Sequence, residues 1–209
     1  MRGRLIVVEG LDGTGKTTLS RGLARSLGAV WMTTPPASLR AVKRWYEQLV
    51  CSRVEVSQLF HALGVVVAAR EANGHLVDGR DVVMDRYWLS TAVYAAVAGS
   101  RLRLAPPTWL VPPADLTIFV TLDEGERRKR LVRRGPSSED RATMNHGFTR
   151  RLEQAYRTAL TWPIAGRVVE VDVTGLTIEE AVEAAVTASI PTSTSTSLLD
   201  GCMSSVRGY

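Results

Sequence analysis

Leu5-Ile6-Val7-Val8-Glu9-Gly10-Leu11-Asp12-Gly13-Thr14-Gly15-Lys16-Thr17-Thr18 is the stretch from which the fold can be read. Leu5 to Val8 is a short apolar, β-branched run, as a buried strand requires. From Lys16 to Leu27 the leucines 19, 23 and 27 recur at helical spacing. Between strand and helix, Gly10 to Thr17 matches GxxxxGK[ST] in full. Glycines there let backbone N–H groups turn inward around a phosphate, and the following helix N-terminus adds partial positive charge. Gly10, Gly13, Thr14, Gly15, Lys16, Thr17 and Thr18 are thus expected to bind a nucleoside triphosphate. Lys16 would reach the β- and γ-phosphates and the Thr17 hydroxyl would hold Mg²⁺, pointing to ATP and Mg²⁺. Asp12 is unusual inside such a loop, because a carboxylate beside a polyphosphate is repelled unless it binds the metal, the acceptor or a cation. A plain Asp-Gly turn is the simpler account of it.

Outward from the loop, strand and helix signals alternate. Further strands are expected at Ala29 to Thr33, Val82 to Met84, Leu116 to Leu122 and Val168 to Val171. Helices are expected from Ser38 to about Val50, over Val54 to Val77, Ser90 to Ala98 and Glu124 to Arg134, around Phe148 to Ala159, and from Ile178 to Ser189. Leu102 to Pro113, with its prolines, reads as loop. Five buried strands alternating with helices predict a three-layer α/β/α fold of the P-loop NTPase kind, with a five-stranded parallel sheet. Residues 1–190 are expected to form one domain, and 191–209, with eight Ser/Thr, read as a flexible tail.

The chain has 209 residues, 45% of them hydrophobic, which suits a single packed domain and excludes general disorder. Its apolar runs are too short for a transmembrane helix, and Glu9 ends the first one too early for a signal peptide. Cys51 and Cys202 form no CxxC pair, and the three histidines have no ligand spacing, so a reducing, cytoplasmic setting is expected. The net charge is +5, and six of the eight residues from Arg127 to Arg134 are cationic. A basic helix running into Gly135, Pro136 and two serines suits a lid that closes over a triphosphate, with its loop at about 133–145. Arg127, Arg128 and Lys129 are expected on its solvated face. No aromatic residue interleaves the cluster, which argues against nucleic acid.

Val82-Val83-Met84-Asp85-Arg86-Tyr87 puts an acid and a base at the C-terminal end of a strand, the edge where open α/β sheets bind ligands. Asp85 is placed like a Walker B acid for Mg²⁺, and Arg86 suits bidentate phosphate contact.

Glu9 to Thr18, together with Asp85-Arg86-Tyr87-Trp88-Leu89-Ser90-Thr91-Ala92-Val93-Tyr94, resembles the thymidylate kinases, with their EGxDGxGKTT loop and DRYxxSxxAY segment. Gln58-Leu59-Phe60-His61-Ala62 is similar to that family's LLFxA helix start. The resemblance spans about residues 4 to 190. It implies transfer of the ATP γ-phosphate to dTMP or a related pyrimidine deoxynucleotide, in an enzyme that commonly forms homodimers. Arg86 would then bind the acceptor phosphate and Phe60 would stack on the base. Tyr94 would lie against the deoxyribose, with Thr91 nearby, and Asp12 would contact the 3′-hydroxyl or order Mg²⁺. For Phe60 and Tyr94, plain core packing is the competing account. The family's RxxxRGxxDR lid is similar to Arg130 to Gly135 with Asp140-Arg141, making Arg134 and Arg141 the catalytic arginine candidates, with Arg133 behind them.

This sequence departs from the family on the base-reading side. Gly64 stands where the family has an arginine, and Thr33-Thr34-Pro35-Pro36-Ala37-Ser38 replaces a loop that carries a cation. Ala95 replaces a common Gln. A kinase of the same fold acting on a different or modified nucleoside monophosphate is therefore a second reading, and a non-catalytic nucleotide-binding module a third.

Overall fold

The structure is a computed structural model, and it describes residues 1–39, 42, 53–135 and 143–190. Its strands are β1 (Leu5–Gly10), β2 (Val30–Thr33), β3 (Val82–Asp85), β4 (Leu116–Thr121) and β5 (Arg167–Asp172). Its helices are α1 (Lys16–Leu27), α2 (Val54–Val77), α3 (Trp88–Val97), α4 (Glu124–Arg134), α5 (His146–Ala159) and α6 (Ile178–Ser189). The strands form one five-stranded sheet in the order β2-β3-β1-β4-β5, and every pairing is parallel.

Strand β1 sits in the middle, which explains its unbroken apolar run. Parallel strands covered on both faces have no polar side to show. Leu5 and Val7 pack into a core under α2, α3 and α5, whereas Ile6 and Val8 enter a second core under α1 and α6. The same alternation divides β3, with Val82 and Met84 on the first face and Val83 on the second.

The sequence boundaries hold closely. Helices α2 and α4 span the expected residues, α3 begins two residues earlier at Trp88, and 101–113 contain neither helix nor strand. Ala37–Leu39 form a short 3-10 turn. The helix expected to run on to about Val50, most of the lid loop (136–142) and the tail (191–209) lie outside the described residues.

Local chemistry fixes the helix ends near the cleft. Asp123 caps α4 by accepting from the Glu126 N–H, and Thr177 and Glu180 close a capping box on α6. Glu124 and Glu126 in the first turn of α4 oppose the helix dipole, and Arg133 and Arg134 in its last turn do likewise. The helix thus carries its cations towards the cleft without electrostatic conflict.

Candidate active site

The turn from β1 into α1 forms the floor of a cleft of about 850 Å³. Residues 12 to 19 and Arg86 line one side, Lys129, Arg130, Arg133 and Arg134 of α4 another, and Leu176, Thr177, Ile178 and Ala181 a third. The arrangement matches a triphosphate site with an adjoining apolar wall. Gly13 has φ +89°, and an added Cβ would come within 2.9 Å of Leu131 Cγ and 3.1 Å of the Arg127 backbone oxygen. Both the loop's shape and the closeness of α4 therefore need glycine there.

Lys16 is buried, and its ammonium donates to the Leu11 carbonyl. Burial first, then the neighbouring Arg86 charge, brings its pKa down to about 8 despite Asp12, Asp85 and Glu9 pulling the other way. At neutral pH it is still a cation, positioned at the phosphate loop.

Asp12 answers the question its sequence position raised. One oxygen pairs with the Arg86 guanidinium and lies 3.9 Å from Lys16 Nζ, and the other accepts from the Tyr94 hydroxyl at 2.8 Å. Burial alone would raise its pKa, but Arg86 and Lys16 outweigh burial and hold it at about 2. It is a structured anion that also stands in a turn, the one closed by the Thr14 N–H on the Leu11 carbonyl. Arg86 also lies 5.4 Å above the Tyr94 ring. At φ +67° it is the one non-glycine residue with positive φ among those described, a strained conformation of the kind found at functional positions.

Thr17 and Asp85 meet directly, the threonine hydroxyl donating to Asp85 Oδ2 at 2.5 Å. Asp85 Oδ1 is buried and has no hydrogen-bond partner among the described residues. Such an orphaned acceptor costs about 1–3 kcal/mol unless a cation or its water completes it. A hydroxyl and a carboxylate oxygen beside a phosphate loop are hard donors of the kind Mg²⁺ takes. The residues present therefore fit that ion.

Phe60 of α2 is buried, edge-on to His61. Thr91 is half-buried on α3, one turn before Tyr94. The structure brings Asp12, Lys16, Thr17, Asp85, Arg86 and Tyr94 together, with Arg134 on the opposite wall, while Arg141 lies outside the described residues. Thr91 makes no side-chain hydrogen bond to that cluster among the described residues.

Two residues gained a role that the sequence reading did not give them. Arg127, expected on a solvated face, is instead 1% exposed, because its guanidinium turns inward onto Glu124 and onto the loop carbonyl of Asp12. An i,i+3 acid partner was the available signal. Glu9 is wholly buried. It accepts from the Tyr87 and Ser90 N–H groups and from the Tyr156 hydroxyl, and burial raises its pKa.

The departures at Gly64 and in the Thr33 to Ser38 loop also have a structural form. Gly64 faces Pro35, and a Cβ on Gly64 would lie 2.8 Å from Pro35 Cβ. The proline fills the space into which a side chain from that turn of α2 would grow.

A phosphate loop, a hydroxyl–carboxylate pair, an arginine at the neighbouring strand end and a cationic wall are together the site of a P-loop nucleoside-monophosphate kinase. Comparison with known proteins narrows this. The thymidylate kinase family model matches residues 8–184. A probable thymidylate kinase of Methanocaldococcus jannaschii is 39% identical over 98 residues, 45% of this chain and half the length of that enzyme. One from Pyrobaculum calidifontis is 33% identical over 134 residues, covering 62% of this chain and 69% of its own. A thymidylate kinase from Candida albicans, described as having broad substrate specificity, shares the fold with a TM-score of 0.69 at 23% identity, covering 90% of this chain and 91% of its own. This chain belongs to the thymidylate kinase family, and membership makes it a phosphotransferase with ATP as donor. Among the described residues no helix is long and apolar enough to cross a membrane.

Proposed function

We propose that this protein transfers the γ-phosphate of ATP to the 5′-phosphate of dTMP, giving the diphosphate, through a domain comprising residues 1–190. The carrying observation is the convergence of Lys16, Asp12 and Arg86 at one end of the cleft, where a phosphate loop meets the end of β3. A donor triphosphate lies along residues 13–18 with its adenine against Leu176, Ile178 and Ala181. Arg86 binds the acceptor phosphate, and Asp12 and Tyr94 meet the sugar. Phe60 stacks on the base, with Thr91 beside it.

Phosphoryl transfer needs little covalent help from the protein, so catalysis here is positioning plus charge. Lys16 stays on the donor phosphates during transfer. Arg134 and Arg141 supply positive charge where it builds up on the transferring group, and they exclude water when the lid is closed. Thr17 and Asp85 would hold Mg²⁺, which would supply positive charge to neutralise phosphate oxygens. A cytoplasmic location belongs to the same proposal, as does a homodimer formed through α2, where Leu59 and Leu63 are exposed.

The test is a panel of nucleoside monophosphates incubated with magnesium ATP while ADP is followed. dTMP turned over well above the rest supports the reading. ATP bound but no monophosphate turned over would leave a nucleotide-binding module instead. A different acceptor is a second reading favoured by one observation, the Gly64–Pro35 contact, which leaves position 64 without a side chain to read the base. Preference in the panel for another or a modified base would select it.

A further inference from the structure

Arg127 is a buried cation with no part in the chemistry above. Its burial is matched by a full set of partners. Nε and Nη2 form a bidentate pair with Glu124 at 2.6 and 2.9 Å. Nη1 donates to the backbone carbonyl of Asp12 at 2.7 Å. Nη2 also donates to the Thr143 carbonyl at 2.9 Å, with the Thr149 hydroxyl at 3.3 Å. One planar group thus ties the phosphate loop to the first turn of α4 and to the chain leading into α5. Only arginine has the fork of donors needed for acceptors in three directions.

The Asp12 bond has a directional effect. Across a trans peptide, C=O and N–H point to opposite sides. Holding the Asp12 carbonyl against α4 therefore turns the Gly13 N–H away from that helix, to the side on which a phosphate would be received. The stem of Arg127 also occupies the space a Gly13 side chain would fill, since Arg127 Cγ would lie 3.1 Å from such a Cβ. Loop glycine and helix arginine form one fitted pair.

We propose that Arg127 is a positioning residue for the donor phosphates: it fixes the orientation of the Asp12–Gly13 peptide, and it sets α4, which carries the cleft's cations, in register with the phosphate loop. This rests on the reading of the cleft as an ATP site. Arg127 holds the loop through the Asp12 backbone carbonyl and not through the carboxylate that pairs with Arg86, so its effect falls chiefly on the donor side.

The test uses the full chain with Arg127→Met, which keeps the apolar stem, and Arg127→Lys, which keeps the charge but can reach fewer acceptors. Magnesium ATP binding is measured by calorimetry without acceptor, and the KM values for ATP and dTMP are measured separately on the folded fraction. In Arg127→Met the ATP dissociation constant and KM should rise about tenfold or more, with kcat reduced and the dTMP KM within about twofold of wild type, since misplacing a positioning group by 1 Å costs up to about a hundredfold. Arg127→Lys should fall between the two and remains informative if Arg127→Met fails to fold. Wild-type ATP affinity in both variants would overturn the proposal, as would parallel rises in both KM values. A wild-type chain that binds no ATP would instead overturn the reading of the cleft. A wild-type chain that binds ATP but ignores dTMP would revise only the acceptor, and the calorimetric comparison would still decide on Arg127.

Discussion

Asp12 and Arg86, from two different strand ends, form an ion pair on one side of the cleft, with the Tyr94 hydroxyl on the acid's other oxygen. The fold itself therefore holds the arginine in one orientation, and on the proposed function an incoming acceptor phosphate would share it with an acid already in place. The pair also bears on stability against pH. Asp12 has its pKa lowered from 3.8 to about 2 on folding. Its contribution is thus present above pH 3.8 and is lost as pH falls towards 2. In full this amounts to about 2 kcal/mol, about half of it gone by pH 3. Urea unfolding at pH 5 and pH 3 should show a smaller acid-side loss in Asp12→Asn than in wild type. Parallel losses would show that the pair does not hold the acid down.

Arg86 should show function bought at the expense of backbone comfort. An L-residue near φ +67° pays roughly 1–2 kcal/mol that glycine does not. Arg86→Gly should accordingly unfold later than Arg86→Ala by about 1 kcal/mol, while both lose about a thousandfold or more in kcat/KM. Thermal unfolding and a coupled ADP assay check the two halves. Wild-type turnover in either variant would remove Arg86 from the acceptor phosphate.

Gly13→Ala meets two obstacles at once, φ +89° and the wall of Leu131 and Arg127. A loss of about 2–4 kcal/mol is expected, together with much weaker ATP binding. Denaturant midpoints and an ATP titration measure both. An unchanged midpoint would mean that α4 can retreat from the loop.

Gly64→Ala pushes a methyl against Pro35. It should cost about 1–3 kcal/mol and raise the acceptor KM severalfold without altering the ATP KM. Steady-state kinetics with each substrate varied in turn separates the two constants, and a change in the ATP constant alone would place Pro35 away from the acceptor.

Much of this molecule was legible because its signals are local. The loop from Gly10 to Thr17 combines strand, glycines and helix start in one run, and the alternation of β-branched runs with helical periodicity follows directly from burial on both faces of the sheet. Asp85 and Arg86 could be placed because ligand sites collect at strand ends. What stayed hidden depends on contacts between distant segments. Arg127 looks like its basic neighbours until α4 is laid against the phosphate loop, and only then does one cation of the cluster prove to be interior. The role of Glu9 was invisible for the same reason, since its partners lie 78 to 147 residues away. The Gly64–Pro35 contact could be suspected from two departures in sequence but not recognised as a single one.

Glu9 makes three segments thermodynamically inseparable. Its carboxylate receives the Tyr87 and Ser90 amides at the start of α3 and the Tyr156 hydroxyl from α5. Effects of substitutions at residues that share one buried acid do not sum. Glu9→Gln and Tyr156→Phe, each damaging alone, should together cost markedly less than their total, because the second change removes a partner the first has already weakened. Substitutions introduced on α3 or α5 near this acid will therefore behave as edits to one jointly determined unit, in which the sign and size of each change depend on what stands at position 9.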